Sequence, residues 1–206
     1  MLPRADVRDK LIGASSLSSL KHGAKLGTSS PRRKAQILSL RPDIICSSIR
    51  GNVATRLSKI ESGEFDATLL AAAGLDRLGM EDVGHYLDDM LPAASQGAIG
   101  IECLSEREDL QGFLIPISDS DTAICVNAER AFLAALSGDC HSPIAAFALP
   151  KDGKIWLRGQ ILSADGQESV FAEVMANRDD AAQAGHNLAK AILSNASAEL
   201  ISFFGA

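Results

Sequence analysis

The sequence has no long apolar run and no close pair of cysteines. No stretch approaches the roughly 20 apolar residues that a membrane-spanning helix requires, and residues 1–6 lack the basic and then apolar regions of a signal peptide. Widely separated cysteines without a Cys-X-X-Cys pair favour neither a zinc site nor a disulfide framework; they are Cys46, Cys103, Cys125 and Cys140. We therefore expect a cytoplasmic protein that contacts no membrane and holds no metal.

Positive charge is also scarce. With 20 Lys and Arg against 26 Asp and Glu, the formal net charge is −6 and the isoelectric point is about 5.2. Nucleic acid is therefore not an expected partner, because phosphate backbones attract basic surfaces. The 46% hydrophobic and 22% charged composition is that of an ordinary globular protein, and 206 residues are enough for two domains.

The positive charge that is present is concentrated between Gly27 and Lys59. Arginine forks suit carboxylates and phosphates, and a helix N-terminus adds backbone donors. The segment is either a solvated basic face or the binding site of a small anion, and two clusters at successive strand-to-helix turns favour the anion. Seven basic residues lie here against one acid, Asp43, which gives the segment a net charge of +6; they are Arg32, Arg33, Lys34, Arg41, Arg50, Arg56 and Lys59.

Apolar runs alternate with helical patterns in the first half of the chain. Residues 44–49 and 67–72 are typical of buried strands, Ser30-Pro31 is a typical helix start, and residues 53–60 have helical spacing. This alternation predicts a parallel α/β sheet that binds ligands at the carboxyl ends of its strands. A further apolar run at 98–102 predicts one more strand.

A different pattern begins near residue 119. Residues 121–136 have the spacing of a long helix, and three strand-like runs follow at 144–149, 155–163 and 169–176. The Asp-Gly pairs between these runs are strong hairpin signals, and a helix from 179 to 193 comes next. We therefore predict a small C-terminal α+β domain with an antiparallel three-stranded sheet.

Cys140 lies in a polar loop between the long helix and the first of these strands. A thiol beside His141 can be reactive, because a nearby cation favours the thiolate, but the spacing alone favours an incidental loop cysteine. The Gly-Thr-Ser-Ser sequence at 27–30 lacks the Gly-Lys-Ser/Thr ending of a P-loop, so a nucleotide is not expected.

Five segments together resemble the porphobilinogen deaminases, also called hydroxymethylbilane synthases. In order, they are 27–33 (GTSSPRR), 50–57 (RGNVATRL), 70–79 (LAAAGLDRLG), 92–102 (PAASQGAIGIE) and 138–143 (GDCHSP). The resemblance covers nearly the whole chain. Proline at position 31, where leucine is common, and alanine at position 54, where glycine is common, leave the basic residues untouched.

The resemblance implies a transferase of tetrapyrrole and haem biosynthesis. Such an enzyme joins four porphobilinogen molecules into hydroxymethylbilane and releases ammonia, and the resemblance further implies a monomer. It implies a dipyrromethane cofactor attached by a thioether to Cys140. Residues implied to bind the cofactor are Thr28, Ser30, Arg32, Arg33, Arg50, Arg56, Gln96 and Gly97; those implied to bind substrate are Arg32, Arg50, Arg56 and Arg77.

The resemblance also implies a domain arrangement. Residues 1–97 would be a second, periplasmic-binding-protein-like domain with a parallel or mixed sheet. Residues 98–118 would return to a first domain that is largely absent, and residues 119–206 would form the domain that carries Cys140. The family's catalytic aspartate belongs to that first domain, about a hundred residues long, and has no counterpart here. We therefore expect no catalytic residue in this chain, and a polypeptide that binds but does not turn over its substrate.

The alternative is a non-enzymatic α/β module that binds a small carboxylate or phosphate. Architecture alone does not separate the two interpretations, because a fold does not determine a function. The Cys140 loop separates them, because a simple binding module has no use for a cofactor thiol.

Overall fold

A five-stranded sheet organises the first part of the chain, of which the computed structural model describes residues 1–204. β2 is parallel to both of its neighbours, β3 and β4, whereas β1 is antiparallel to both of its neighbours, β4 and β5. The predicted parallel sheet is therefore a mixed one, in which β1 runs against the other strands. The strands are β1 (Asp9–Ile12), β2 (Lys25–Gly27), β3 (Ile45–Ser47), β4 (Ala67–Ala71) and β5 (His85–Leu87), in the spatial order β3-β2-β4-β1-β5.

Three helices belong to this α/β unit: α1 (Pro31–Leu40), α2 (Val53–Glu61) and α3 (Ala72–Asp76). The Ser30 hydroxyl caps α1 by accepting from the backbone N–H of Arg33 at 3.4 Å. The Asn52 side chain caps α2 by accepting from the backbone N–H of Thr55 at 3.0 Å. The predicted helix start at Ser30-Pro31 is confirmed, and both helices begin directly after a strand of the parallel part of the sheet.

The strand predicted at 98–102 is wrong. Within the described residues this segment pairs with no strand. One backbone hydrogen bond joins it to the start of the chain, from Leu2 N–H to Ile99 O at 3.1 Å, and another joins the preceding residue, from Ala5 N–H to Gly97 O at 3.0 Å. A short helix, α4 (Glu108–Leu114), and a 3₁₀ turn follow it. Apolar content alone did not indicate a strand here, because a strand also needs a neighbour that offers a free edge.

The C-terminal unit contains the predicted antiparallel sheet of three strands, in the order β6-β7-β8. Asp152 and Gly153 both have positive φ in the first hairpin turn, as does Gly166 in the second. No helix within residues 1–204 is long and apolar enough to cross a membrane. The elements are α5 (Ser120–Ala135), β6 (Ile144–Lys151), β7 (Lys154–Leu162), β8 (Ser169–Ala176), α6 (Ala181–Ser194) and α7 (Ala198–Ile201).

Two close contacts join the units. The buried carboxylate of Glu129 on α5 accepts two hydrogen bonds from Arg4 and one from the backbone N–H of Ser95. The second hairpin turn presses Gly166 against α1 so tightly that a Cβ there would lie 2.3 Å from the carbonyl oxygen of Ala35. The α/β unit and the C-terminal unit are thus held together through both Glu129 and Gly166.

Candidate functional site

Arg32 and Arg33 extend from the first turn of α1 and both bind the carboxylate of Asp9. Arg32 Nη2 lies 2.8 Å from Asp9 Oδ2, and Arg33 Nη2 lies 2.7 Å from Asp9 Oδ1. Because β1 runs against β4, Asp9 at the start of β1 pairs with Ala71 at the carboxyl end of β4. The acid therefore reaches the edge of the sheet where α1 begins.

This cluster is almost fully buried. Asp9 is 1% exposed and Arg32 is 3% exposed. Burial by itself would raise the pKa of Asp9, but the guanidiniums of Arg32 and Arg33 hold the pKa of that carboxyl below its ordinary value. Two cations thus share one ionised carboxylate, so the cluster keeps a net positive charge.

Two glutamine amides support the arginines from behind. Gln96 donates to Asp9 Oδ1 at 2.9 Å and to the carbonyl oxygen of Val7 at 2.6 Å, and its own carbonyl accepts from Arg32 at 3.3 Å. Gln36 accepts from Arg32 Nη1 at 3.0 Å. These contacts restrict the Arg32 side chain to one orientation.

One N–H donor of Arg32 and one of Arg33 form no hydrogen bond within the described residues. Within residues 1–204, the Nε atoms of Arg32 and Arg33 are buried without a hydrogen-bond partner. Buried donors are normally satisfied, and both arginines line a cavity of about 530 Å³. An anionic ligand in this cavity would meet the positive charge of these two guanidiniums.

The same cavity is lined by residues from the C-terminal unit. Cys140, Asp139 and Ser142 contribute from the loop, and Leu133 contributes from α5. Arg56 from α2 adds a third guanidinium to the lining. The fold therefore brings an exposed thiol to the same cavity as three arginines that are about a hundred residues away in sequence.

Hydrogen bonds within the loop hold Cys140 at the surface. Asp139 Oδ1 accepts from the backbone N–H of His141 at 2.8 Å and from the Ser142 hydroxyl at 3.1 Å. These donors lower the pKa of Asp139. The loop begins at Ser137, which has a positive φ of 50°.

Some predicted site residues meet in this cavity and others do not. Arg41 and Lys59, counted in the basic segment, pair locally with Asp43 and Glu64. Arg50 and Arg77 are exposed and lie outside the lining, and Thr28, Gln96 and Gly97 stand behind it rather than on its surface. The predicted residues brought together are Ser30, Arg32, Arg33, Arg56 and Cys140.

Asp9 was not anticipated as a site residue. The available signal was a lone acid close to the apolar pair Leu11-Ile12, and only the reversed direction of β1 makes it a partner of the arginines. In the part of the chain that the structure describes, no three His, Cys, Asp or Glu residues are grouped to hold a metal ion. The donors of the cavity, three guanidiniums with a thiol, fit an acidic organic group that can be attached through sulfur.

Comparison with known proteins agrees with this donor set. The family model "porphobilinogen deaminase, dipyromethane cofactor binding domain" matches residues 1–112, and the model of the C-terminal domain of the same family matches residues 123–194. The porphobilinogen deaminase of Sphingopyxis alaskensis is 53% identical over 183 residues, covering 85% of this chain and 58% of the relative.

Two further curated relatives match nearly the whole chain. The porphobilinogen deaminase of Nitrobacter hamburgensis is 44% identical over 98% of this chain and 66% of its own length. That of Paracoccus denitrificans is 45% identical over 96% of this chain and 65% of its own length. The chain thus spans 58% to 66% of the length of these relatives, and it belongs to the porphobilinogen deaminase family, whose dipyrromethane cofactor binding domain it contains.

Proposed function

We propose that this chain is the ligand-holding part of a hydroxymethylbilane synthase, a transferase of tetrapyrrole and haem biosynthesis. The reaction joins four porphobilinogen molecules into hydroxymethylbilane and releases ammonia. The observation that carries the proposal is the shared cavity of Cys140, Arg32, Arg33 and Arg56. A phosphate-binding module has no need for a thiol at that position.

We propose a distinct role for each group in the cavity. Cys140 Sγ would carry the dipyrromethane through a thioether, and this cofactor, when bound, supplies the pyrrole carbon at which the chain grows. The place of Arg32 and Arg33 in the lining of the cavity supports their assignment to carboxylates of the cofactor. Arg56 would bind a further carboxylate of the cofactor or of porphobilinogen, which has acetate and propionate side chains.

Other residues would act outside the cavity. Arg50 and Arg77 are exposed and would meet the carboxylates of incoming porphobilinogen at the surface. Thr28 and Gln96 would act through their neighbours. Thr28 Oγ1 accepts from the backbone N–H of Ser30 at 3.2 Å, and Gln96 bonds to both Asp9 and Arg32.

We further propose that these 206 residues bind without catalysing the reaction. Release of ammonia needs a group that donates and accepts a proton. Asp139 lines the cavity and Asp9 binds two of its arginines, and hydrogen bonds and cations hold the pKa of each carboxyl below its ordinary value. Neither carboxyl is therefore a proton donor near neutral pH. A turnover assay with porphobilinogen tests this proposal, and steady formation of hydroxymethylbilane by the 206-residue chain would contradict it.

The domain arrangement implied by the resemblance stays a proposal, with residues 1–97, 98–118 and 119–206 as its parts. The middle segment supports it through an exposed apolar surface of the kind that usually packs against another element. The exposed apolar residues are Ile99, Ile101, Leu104, Phe113, Ile115 and Ile117.

We also propose that the protein is cytoplasmic and monomeric.

Two measurements on the same preparation test the function. The first is calorimetric titration of porphobilinogen into the Cys140→Ser variant, which detects binding without covalent attachment. The second is mass spectrometry of the peptide that contains Cys140 after the unmodified chain has been incubated with hydroxymethylbilane, whose hydroxyl leaves as water when the thiol displaces it, so that no release of ammonia is required. Binding together with a pyrrole adduct on Cys140 is the expected result. Binding with no adduct would favour the non-enzymatic binding module, and an absence of binding would overturn the proposal.

A further inference from the structure

A second cleft lies on the other side of the arginine cluster. Its volume is about 710 Å³, within the range of small-molecule sites. Its walls come from the first residues of the chain, from the segment that follows β5, from the start of α5, and from residues of the three-stranded sheet. None of the residues that line the Cys140 cavity lines this cleft.

Arg158 on β7 lines this cleft without a partner of its own. Its Nε atom is buried without a hydrogen-bond partner, and no ion pair within residues 1–204 includes it. Glu173 is its neighbour in the sheet register but does not form an ion pair with it. Burial lowers the pKa of Arg158, an effect that Glu173 opposes. A bound anion would replace the water that this guanidinium has lost.

Aromatic rings surround the same guanidinium. Its Cζ atom lies 5.2 Å from the centre of the Phe147 ring and 4.5 Å from that of Trp156. Phe147 and Phe171 both line the cleft, and Phe171 is 52% exposed. Rings of this kind, beside an arginine fork, suit a ligand that has an aromatic body and a carboxylate.

The other charges of the cleft limit how many carboxylates a ligand can bring. Arg4 is bound to Glu129, and Arg8 is bound to Asp6 and Asp88 at 2.6 and 3.3 Å. Asp89, also in the lining, has no ion pair in the described part of the chain. Asp121, the remaining acid of the lining, pairs with Arg178. Within the described residues, Arg158 is the lining guanidinium without an ion pair, and the lining holds four carboxylates against three guanidiniums, so a second anionic group on a ligand would meet repulsion.

We propose that this cleft is a second ligand site, which binds an aromatic or heteroaromatic monocarboxylate. The carboxylate binds Arg158, and the ring packs against Phe147 and Phe171. This site is independent of the proposed function, because it uses neither Cys140 nor the three arginines of the first cavity.

Hydrogen bonds connect the linings of the two sites. Gln160 lines the second cleft and accepts from Gln36 Nε2 at 2.9 Å, and Gln36 accepts from Arg32 at 3.0 Å. Leu91, another lining residue, accepts from Arg32 Nη1 at 2.8 Å through its backbone carbonyl. A ligand in the second cleft therefore contacts residues that bind directly to the arginine cluster.

The single tryptophan of the chain, Trp156, provides the test. The probe is phenylacetate, titrated into isotope-labelled 206-residue chain while the indole N–H resonance of Trp156 is followed. The matched ligands are phenylacetamide, which is neutral, and phenylmalonate, which carries a second carboxylate. We expect a saturable shift with phenylacetate, and binding that is about tenfold or more weaker for both matched ligands.

Variants assign the binding to the cleft. Arg158→Gln should weaken phenylacetate binding about tenfold or more, and Phe171→Ala, at an exposed position, should weaken it several-fold. Arg107→Gln is the control, because Arg107 is exposed and lies in neither cavity. The proposal is overturned if phenylacetate produces no saturable shift, if phenylacetamide or phenylmalonate binds equally well, or if Arg158→Gln behaves like the control.

Discussion

Arg4 and Glu129 are separated by 125 residues, and yet their side chains meet through two N–H···O bonds of 2.6 and 3.0 Å. Glu129 also accepts from the backbone N–H groups of Ser95 and Ala148 at 2.7 and 2.8 Å. Burial raises the pKa of Glu129, while Arg4 and the two backbone donors oppose that shift. This one carboxylate therefore joins the first residues, the segment before Gln96 and the C-terminal unit.

Replacing Arg4 should destabilise the contact between the α/β unit and the C-terminal unit. In the Arg4→Met variant the buried carboxylate of Glu129 loses its counter-ion, and we expect the free energy of unfolding to fall by about 3–5 kcal/mol. Urea denaturation at neutral pH measures this loss in the free energy of unfolding. Arg107→Met is the matched control, because the pair that Arg107 forms with Asp109 is exposed and should contribute little. Equal losses in the two variants would contradict a structural role for Arg4.

The Asp9 side chain should stabilise the folded protein only while its carboxylate is ionised. Its pKa is lower in the folded chain than the ordinary value of 3.8, so its contribution is complete above pH 3.8 and is lost as the pH falls further. Asp9→Asn leaves Arg32 and Arg33 without a counter-ion, and we expect a loss of about 3 kcal/mol at neutral pH. Urea unfolding at several pH values should show this difference narrowing below pH 3.8. A difference that stays constant down to low pH would refute the assignment.

The glycines of the two hairpin turns should respond differently to alanine. Gly153 and Gly166 have nearly the same φ, 73° and 72°, so the backbone strain from alanine is similar, about 1 kcal/mol. A Cβ on Gly153 meets nothing within 4 Å, whereas one on Gly166 meets Ala35 O at 2.3 Å and Ser39 N at 2.6 Å. We expect Gly166→Ala to cost at least about 2 kcal/mol more than Gly153→Ala in thermal or urea unfolding. Similar costs would mean that the hairpin does not press on α1.

Arg56 should bind ligand at little structural cost. Its Nε donates to the carbonyl oxygen of Gly51 at 3.0 Å, and it forms no ion pair within residues 1–204. Arg56→Gln should therefore keep the stability of the chain while weakening porphobilinogen binding about tenfold at low salt. Arg77→Gln, at an exposed position outside the cavity, should weaken binding less. Calorimetric titration of the two variants compares them directly, and the reverse order would remove Arg56 from the site.

Local signals in the sequence predicted most of the elements. Ser30-Pro31 begins α1 and the Asp-Gly pairs turn both hairpins, because capping and turn geometry depend on a few adjacent residues. The direction of β1 and the presence of β5 depend on pairing between distant segments, and neither followed from periodicity. The apolar run at 98–102 illustrates the opposite case, since its composition suits a strand but it pairs with no strand among the described residues.

Some residues of the candidate site were likewise predictable from the sequence, and others were not. The basic residues and Cys140 stand out by composition and by family resemblance, so Arg32, Arg33 and Arg56 were predictable as residues of the candidate site. Asp9 was not, because its place beside two arginines follows from the reversed direction of β1. The convergence of Cys140 with the arginines is also a property of how the two units pack, which no short motif encodes.

The backbone bonds from Leu2 to Ile99 and from Ala5 to Gly97 place the two ends of the α/β unit side by side. A unit whose ends touch can be inserted into another chain, or closed into a ring by a short linker, with little loop-closure entropy to overcome. It is therefore a natural candidate for circular permutation, with new termini in an exposed turn of its own.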